Sequence, residues 1–315
     1  ALPFVVTNNY AVHMLIMAAL NSVLVHSLKL ISGLTGQLSL GHGAFYGIGA
    51  YTSALLALKV GLSFWLAMPA GALAAALAGI LVGLPVLRLR GHFFVIATLG
   101  FGEIINLIFL NWTGLTRGPM GLVRIPPPTP ITIPGLFSID FSSERQYYFL
   151  ILLMLAGTVY FLRALENSRT GRALKGIKAD EIGAAAMGIN VFYHKVLAFS
   201  LSAFIAGMAG GFFAHYTLFI SPVDFSLATS VDLLVMLIIG GLGSIPGSIL
   251  GATSLTLMTE WLRKMAQFRM AFYGALLIAI IVFLPQGLAG LGRQLGFLRR
   301  WRKGGTTDEP GSVGA

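Results

Sequence analysis

The chain has 315 residues, of which 56% are hydrophobic and only 10% are charged, with a formal net charge of +10. Soluble domains carry charge on about a quarter of their residues, so this composition excludes an ordinary soluble protein. The basic residues do not indicate nucleic-acid binding, because they cluster beside long apolar runs, where the positive charge of cytoplasmic loops accounts for them.

Nine apolar stretches are candidates for membrane crossing. A hydrocarbon layer about 30 Å thick needs about 20 residues of α-helix at about 1.5 Å each, and several uncharged runs of this chain are longer. We predict an all-α, polytopic transmembrane helical bundle with spans at residues 10–31, 34–58, 62–87, 93–111, 147–165, 196–218, 231–243, 247–262 and 270–290. Ala1 is not an initiator methionine, so the count leaves room for a tenth helix ahead of it.

Basic connections set the direction of the spans. The most basic ones are Arg88 to Arg90, the segment 163–195 and the tail after residue 292. Because cytoplasmic loops carry the excess of Lys and Arg, all three are predicted to lie inside the cell. The segments 1–9 and 112–146 are then outside.

The second predicted span carries polar residues among its glycines. The segment 34–58 includes Gln37, Ser39, His42 and Gly43. Polar groups are costly in lipid unless they are satisfied, while glycine lets a helix or a ligand approach the backbone. Close helix packing is one interpretation, and a lining role in a translocation pathway is the other. An isolated His, in a chain without cysteine, does not indicate a metal site.

Acidic residues inside apolar spans are few. Glu103 lies within the span 93–111, where either a structural or gating carboxylate or a contact with substrate or proton fits. Asp232 lies at the start of the span 231–243, where a helix N-terminus favours negative charge.

The external loop 112–146 is rich in proline, with six of the 13 prolines of the chain. Proline prevents long helices, so the loop is predicted to be a semi-rigid, extended cap. It is either a docking surface for an outside partner or a plain connector. The tail 293–315 is basic at first and then small and polar, which is typical of disorder.

A second stretch, residues 240–252, is also broken by glycine and proline, and it includes Gly243. Interrupted segments in corresponding places of two halves are typical of a transport pathway. Because the stretch 231–243 is short and 34–58 is broken, either of these two can be half-helical or re-entrant.

The segment 166–195 predicts a docking helix. Asp180 can cap a short helix through its side-chain oxygen, and Gly188 suits the left-handed residue that ends one. Between them, small and apolar residues fall along one side at helical spacing: Ile182, Ala185, Ala186 and Ile189. The segment is either such a helix, inserting into a groove of a cytosolic partner, or an ordinary basic loop with a surface helix.

The dipeptide Gly-Lys occurs nowhere in the chain. ATP-hydrolysing proteins need a glycine-rich loop that ends in Gly-Lys-Ser/Thr, so this chain is predicted not to hydrolyse ATP. An ion-coupled secondary transporter and a passive channel remain as rivals to a transporter driven by other subunits. The few intramembrane carboxylates argue against ion coupling.

Three blocks of sequence together resemble one family. They are "GLTGQLSLGHGAFYGIGAYTSALL", "RTGRALKGIKADEIGAAAMGIN" with the following "KVLAFSLSAFIAGMAGG", and "GGLGSIPGSILGA". In this order they resemble the permease subunits of bacterial ATP-binding cassette importers for branched-chain amino acids, specifically the M-type partner of a permease pair.

The resemblance implies a transmembrane permease domain over residues 1–292, with a cytoplasmic coupling loop at 166–195 and a periplasmic loop at 112–146. It implies translocation of branched-chain amino acids, or of urea or short amides, across the bacterial inner membrane. The implied partners are a second homologous permease, two cytosolic ATP-binding subunits, a periplasmic substrate-binding protein and membrane lipid. The chain itself is expected to bind no cofactor and to catalyse no reaction.

The resemblance also implies which residues couple the permease to ATP hydrolysis. Glu181, Ala184, Ala185 and Gly188 match the motif by which such permeases contact their ATPases, although Gly183 and Ala186 intervene. Arg172 and Asp180 of the same loop complete the predicted coupling set. The candidate pathway residues are Gln37, Ser39, His42, Gly43, Glu103 and Gly243.

Overall fold

The computed structural model describes residues 9–89, 91–133, 137–139 and 143–261 of the chain. Most of this part is helical, which confirms the predicted class. The α-helices are α1 (Asn9–Ser32), α2 (His42–Leu55), α3 (Phe64–Val86), α4 (His92–Asn111), α5 (Thr113–Thr116), α6 (Glu144–Asn167), α7 (Arg169–Ala179), α8 (Glu181–Ala186), α9 (Val191–Thr217), α10 (Leu227–Gly240) and α11 (Ile245–Trp261). A π-helical turn, Leu56–Val60, extends α2.

Five of the described helices are long and apolar enough to cross a membrane: α1, α3, α4, α6 and α9. Each coincides with a predicted span to within about five residues at either end. Helices α10 and α11 match the predicted spans 231–243 and 247–262 and, with 14 and 17 residues, are shorter than the five long helices. The predicted span 270–290 and the tail 293–315 lie outside the described residues.

The predicted span 34–58 is wrong in its first part, because no helix begins there before His42. Gly36 has a φ of +75°, a left-handed conformation that interrupts a right-handed helix. The hydroxyl of Ser32 donates to the carbonyl oxygen of Gln37 (3.0 Å), which helps to satisfy the non-helical backbone. The chain therefore crosses this region as a loop followed by a helix.

A second non-helical stretch, with a 3-10 turn at Pro222–Phe225, comes before α10. Phe225 is buried, and its ring packs 5.0 Å from that of Tyr46 and 5.7 Å from that of Tyr51, both on α2. Irregular backbone at membrane depth needs such shelter by protein. The short helix α10 therefore agrees with the predicted half-helical alternative for 231–243.

Helices α1 and α9 form the centre of the bundle. Most residues of α1 are buried, including Leu20, Val23 and Leu28, and α9 is buried over most of its length. Helix α9 packs against α1, α2 and α3, and α1 also packs against α6 and α11. A helix that is apolar on all sides is expected to occupy a protein interior, which explains why these two lie innermost.

Close backbone contact joins α2 to α9 at two glycines. A Cβ atom added to Gly49 would overlap the backbone of Gly207, and one added to Gly207 would overlap Ala75 of α3. Small residues at such positions let helices approach closely in membranes. Gly49 and Gly207 thus serve helix packing, which is one of the two interpretations of the glycine stretch.

The two predicted basic loops that the structure describes, at Arg88 and at 163–195, lie at one end of the bundle. The guanidinium carbon of Arg88 lies 5.7 Å from the ring centre of Phe192, at the start of α9. At the other end of α9, strand β4 (Phe219–Ile220) pairs antiparallel with β1 (Leu122–Val123) of the loop 112–146. The loop 112–146 and the basic loops are therefore at opposite ends of α9, as the charge pattern predicts.

The proline-rich loop forms two small antiparallel pairings that the sequence pattern did not predict. Besides β1 with β4, strand β2 (Ile131–Ile133) pairs with β3 (Phe137–Ile139). The longest described helix between residues 113 and 143 is α5, with four residues. The described part of the loop thus has no long helix, as expected from its prolines.

We expect Gly49→Ala to destabilise the protein, because the added methyl group has no space between α2 and α9. Overpacked cores lose about 1–3 kcal/mol of unfolding free energy. The measurement is the melting temperature of the purified protein, with Gly157→Ala on α6 as the control, since a Cβ at Gly157 meets no described atom within 4 Å. Equal melting temperatures for the two variants would contradict this packing.

Candidate functional site

Helix α7 is an amphipathic helix that follows α6 directly. The hydroxyl oxygen of Ser168 accepts a hydrogen bond from the backbone N–H of Gly171 (3.1 Å) and so caps its first turn. Gly171, Leu174 and Ile177 are buried, at the spacing of three residues that one helix face requires. The opposite face carries the basic residues, which remain exposed.

Helix α8 begins and ends as the sequence predicts. The Asp180 side chain accepts a hydrogen bond from the backbone N–H of Ile182 (3.0 Å), so Asp180 is the N-cap. Gly188 has a φ of +81°, the left-handed conformation expected after the end of a helix. Asp180 and Gly188 thus fix where the helix begins and ends and are not part of its docking surface.

The outer side of α8 is apolar and open. Ile182 is 71% exposed and Met187 is 83% exposed, and Ala185 and Ala186 are exposed beside them. We call these four residues the α8 surface. Ile189, predicted on the same side, is only partly exposed. Sequence reasoning missed Met187, although its place beside the helix-ending Gly188 marks it as part of the same tip.

Two of the predicted coupling residues face inward. Ala184 is buried. The carboxylate of Glu181 pairs with the ammonium group of Lys195 on α9 at 2.9 Å. This ion pair and the packing of Ala184 hold α8 against α9, so these residues position the helix and leave the α8 surface free.

Lysine side chains attach α7 to the ends of the membrane helices. Lys178 Nζ donates to the backbone oxygen of Gly33 (2.8 Å), directly after α1, and Lys175 Nζ donates to that of Glu166 (3.1 Å). The buried Lys29 of α1 forms an ion pair with the Glu166 carboxylate at 2.8 Å. Carbonyl groups at a helix C-terminus lack partners within the helix and attract cations. Together these contacts join α7 to α1 and α6.

Arg172 contributes a further bond of the same kind. Its Nη1 donates to the backbone oxygen of Asn167 (3.1 Å), at the end of α6, while most of the side chain is exposed. Arg172 therefore lies beside the α6–α7 junction, on a helix that is continuous with the Asp180 cap.

The candidate pathway residues of the first glycine stretch run from the surface into the core. Gly36 and Leu38 are exposed, Gln37 is partly exposed, and Ser39 and His42 are fully buried. The backbone N–H of Gly43 donates to Ser230 Oγ of α10 (2.9 Å), which fixes the start of α2. The segment 36–43 thus leads inward from the end of the bundle that carries α7.

Three side chains of this segment hold polar atoms that are buried and find no partner among the described residues: Gln37 Oε1, Ser39 Oγ and His42 Nδ1. His42 Nε2 lies 2.6 Å from Ser27 Oγ, whose single proton is donated to the carbonyl oxygen of Leu24 (2.6 Å). When Nε2 carries the ring proton and donates to Ser27 Oγ, Nδ1 is an acceptor. All three unpaired atoms can accept a hydrogen bond.

The second glycine stretch meets the first at the end of α1. A Cβ atom at Gly33 would lie 2.8 Å from the carbonyl oxygen of Leu242, in the loop between α10 and α11. Gly243 is exposed in the same loop. The predicted pathway segments, which are about 200 residues apart in the chain, are therefore neighbours beside α7.

Glu103 lies on α4, next to the same region. It is partly exposed. A Cβ atom added to the preceding Gly102 would lie 3.4 Å from the Cα of Gly41. Thr98 of α4 accepts a hydrogen bond from the backbone N–H of Leu40 (3.2 Å). One side of α4 thus packs against the segment 36–43, and Glu103, the residue after Gly102, points about 100° around the helix from it.

Comparison with known proteins places the chain in a family. The model of the family described as "Branched-chain amino acid transport system / permease component" matches residues 10–284. Two relatives are each 36% identical to this chain, over 93% of this chain and 73% of their own length. They are the LivM permease proteins of the high-affinity branched-chain amino acid transport systems of Salmonella typhimurium and Escherichia coli.

A second kind of relative is more distant. The LivH permease protein of the Escherichia coli high-affinity branched-chain amino acid transport system is 25% identical, over 83% of this chain and 88% of LivH. No solved structure matches the chain significantly. The chain belongs to the family of branched-chain amino acid transport system permease components.

Proposed function

We propose that this chain is one of two permease subunits of an ATP-binding cassette importer that carries branched-chain amino acids across the bacterial inner membrane. The observation that carries the proposal is the exposed, apolar α8 surface on a short helix that the Glu181–Lys195 ion pair attaches to the buried helix α9. Exposed apolar residues at the tip of a basic loop suit a protein partner better than solvent.

The proposed partners are a second, homologous permease, two cytosolic ATP-binding subunits and a periplasmic substrate-binding protein, all within membrane lipid. Escherichia coli has both a LivM and a LivH permease protein, and both are similar to this chain. The chain lacks a Gly-Lys dipeptide, so ATP hydrolysis is assigned to the partners. The permease binds no cofactor and catalyses no reaction of its own.

In this mechanism, ATP binding closes the two ATPases and moves the α8 surface docked on one of them. The movement passes from α8 to α9 through the Glu181–Lys195 pair, and from α7 to the end of α1 through the Lys178–Gly33 bond. The end of α1 adjoins the segments 36–43 and 240–244, and α9 packs against α2, which follows the first of these segments. ATP shifts the equilibrium between outward and inward openings because it binds the closed ATPase pair more tightly than the open one.

The proposed pathway is lined by Gln37, Ser39, His42, Gly43, Glu103 and Gly243. A branched-chain amino acid is a zwitterion with an apolar side chain, so it needs hydrogen-bond acceptors for its ammonium group, donors for its carboxylate and apolar walls for its side chain. The unpaired acceptors at Gln37, Ser39 and His42 supply the first requirement, and the surrounding apolar helices supply the last. Related permeases for urea or short amides are the alternative.

We expect Ile182→Asp to reduce ATP-driven uptake of labelled leucine at least tenfold in vesicles that contain the complete complex. A charge in the apolar contact removes an interface anchor, and such anchors contribute 2 kcal/mol or more. The measurements are uptake and the amount of ATPase that co-purifies. Leu89→Asp, at an exposed aliphatic residue of the other basic loop, is the matched control. Wild-type uptake and ATPase recovery for Ile182→Asp would refute the proposed contact.

We expect Glu181→Arg to insert into the membrane but to lose coupling, because it places two cations at the α8–α9 contact. The charge exchange Glu181→Lys with Lys195→Glu restores the attraction and is expected to recover at least half of the uptake. The readouts are uptake and ATPase stimulation by substrate-loaded binding protein. If the exchange fails while Lys195→Glu alone is active, Glu181 acts by direct contact with the ATPase instead.

A further inference from the structure

Three of the long helices present apolar faces to the outside of the described bundle. Helix α3 exposes Leu73, Leu77 and Leu81, and α6 exposes Leu153 and Tyr160. Helix α4 has a comparable row, which we call the α4 outer face: the exposed Ile96, Ile104, Leu107 and Ile108 with the partly exposed Gly100. Apolar exposure alone does not show whether lipid or protein covers a face, because an apolar surface packs well against either.

Charge separates α4 from the other two. Residues 64–86 of α3 and 146–162 of α6 contain no Asp, Glu, Lys or Arg. Helix α4 has Glu103 as the twelfth of its 20 residues, partly exposed and directly beside Ile104. A carboxyl group near the middle of a membrane helix is unfavourable toward lipid and faces protein or a water-filled cavity. Lipid therefore suits α3 and α6 but not the edge of α4 that holds Glu103.

The shape of α4 favours protein as the neighbour. Gly100 lies one helical turn before Ile104, and a Cβ atom there would meet no described atom within 4 Å. The face therefore has an open, flat position between large side chains. Small residues at such positions are typical of sites where a second membrane helix approaches closely.

We propose that the α4 outer face contacts the second permease of the complex, a separate chain of this family, and that Glu103 lies at the border of this interface and the translocation pathway. The inference deepens the proposed function and rests on it. The opposite side of α4 packs against the segment 36–43 through Thr98 and Gly102. Glu103 is thus placed between the pathway segment of this chain and the partner, where a polar group is satisfied.

Site-directed spin labelling tests the contact, since the chain has no native cysteine. Ile104→Cys on α4 and Leu77→Cys on α3, which are 59% and 61% exposed, are the matched pair. Each is labelled with a nitroxide in lipid nanodiscs, in the chain alone and in the complete complex. We expect assembly to lower the oxygen accessibility of the label at residue 104 at least fivefold and to leave that at residue 77 within twofold.

Two results would overturn the inference. A label at residue 104 that stays as accessible to oxygen in the complex as the one at residue 77 shows a lipid-facing α4. A label at residue 104 that is already protected in the chain alone shows that this chain covers its own α4 face. If no second permease assembles with the chain, the proposed function fails first, and this inference fails with it.

Substitution of Glu103 gives a second test, because its effects on uptake and membrane yield differ between a pathway position and a lipid-facing position. At the pathway border, Glu103→Leu is expected to reduce uptake at least tenfold without raising the membrane yield, and Glu103→Gln, which keeps a polar group, is expected to retain more uptake. Toward lipid, Glu103→Leu would raise the membrane yield and leave uptake unchanged, which refutes the proposal. Leu77→Glu is the reciprocal control, and we expect it to lower the membrane yield.

Discussion

Hydrocarbon offers no hydrogen-bond partner to a peptide group, and this constraint governs the whole structure. It is met by helices over most of the described chain. Where the chain leaves the helix, at residues 36–41 and 218–226, other parts of the protein take the place of water. Ser32 and Thr98 satisfy backbone groups of the first segment, and the aromatic side chains around Phe225 shelter the second. The central helices α1 and α9 are buried because they are apolar on all sides.

Three buried polar atoms that lack a hydrogen-bond partner among the described residues point to the translocation pathway. Gln37, Ser39 and His42 each hold a buried acceptor without a partner in the described part of the chain. An unsatisfied polar atom costs stability, so retaining three in one short segment favours a functional explanation. Their placement next to the loop of Gly243 and the edge of α4 agrees with a pathway that opens beside the attachment of α7.

The basic loop is attached to the bundle more firmly than a surface helix requires. Lys29, Lys175, Lys178 and Lys195 all form ion pairs or hydrogen bonds with groups at the ends of helices or with acidic side chains nearby. The positive charge that directs the topology of the chain thus also ties α7 and α8 to α1, α6 and α9. Such a connection transmits movement, whereas a loop held only by its ends would absorb it.

The sequence by itself determined the transmembrane class, the positions of five long helices, the end of the bundle that carries the basic loops, and both ends of α8. These features follow from composition, helical periodicity, charge and the backbone preferences of Asp180 and Gly188, all of which act locally. Only the tertiary structure decided that Glu181 and Ala184 face inward, that the Gly33 and Leu242 regions meet, and that α2 begins at His42. Contacts between distant residues depend on how whole helices pack. Sequence periodicity shows which residues share one helix face, but it does not show which other helix covers that face.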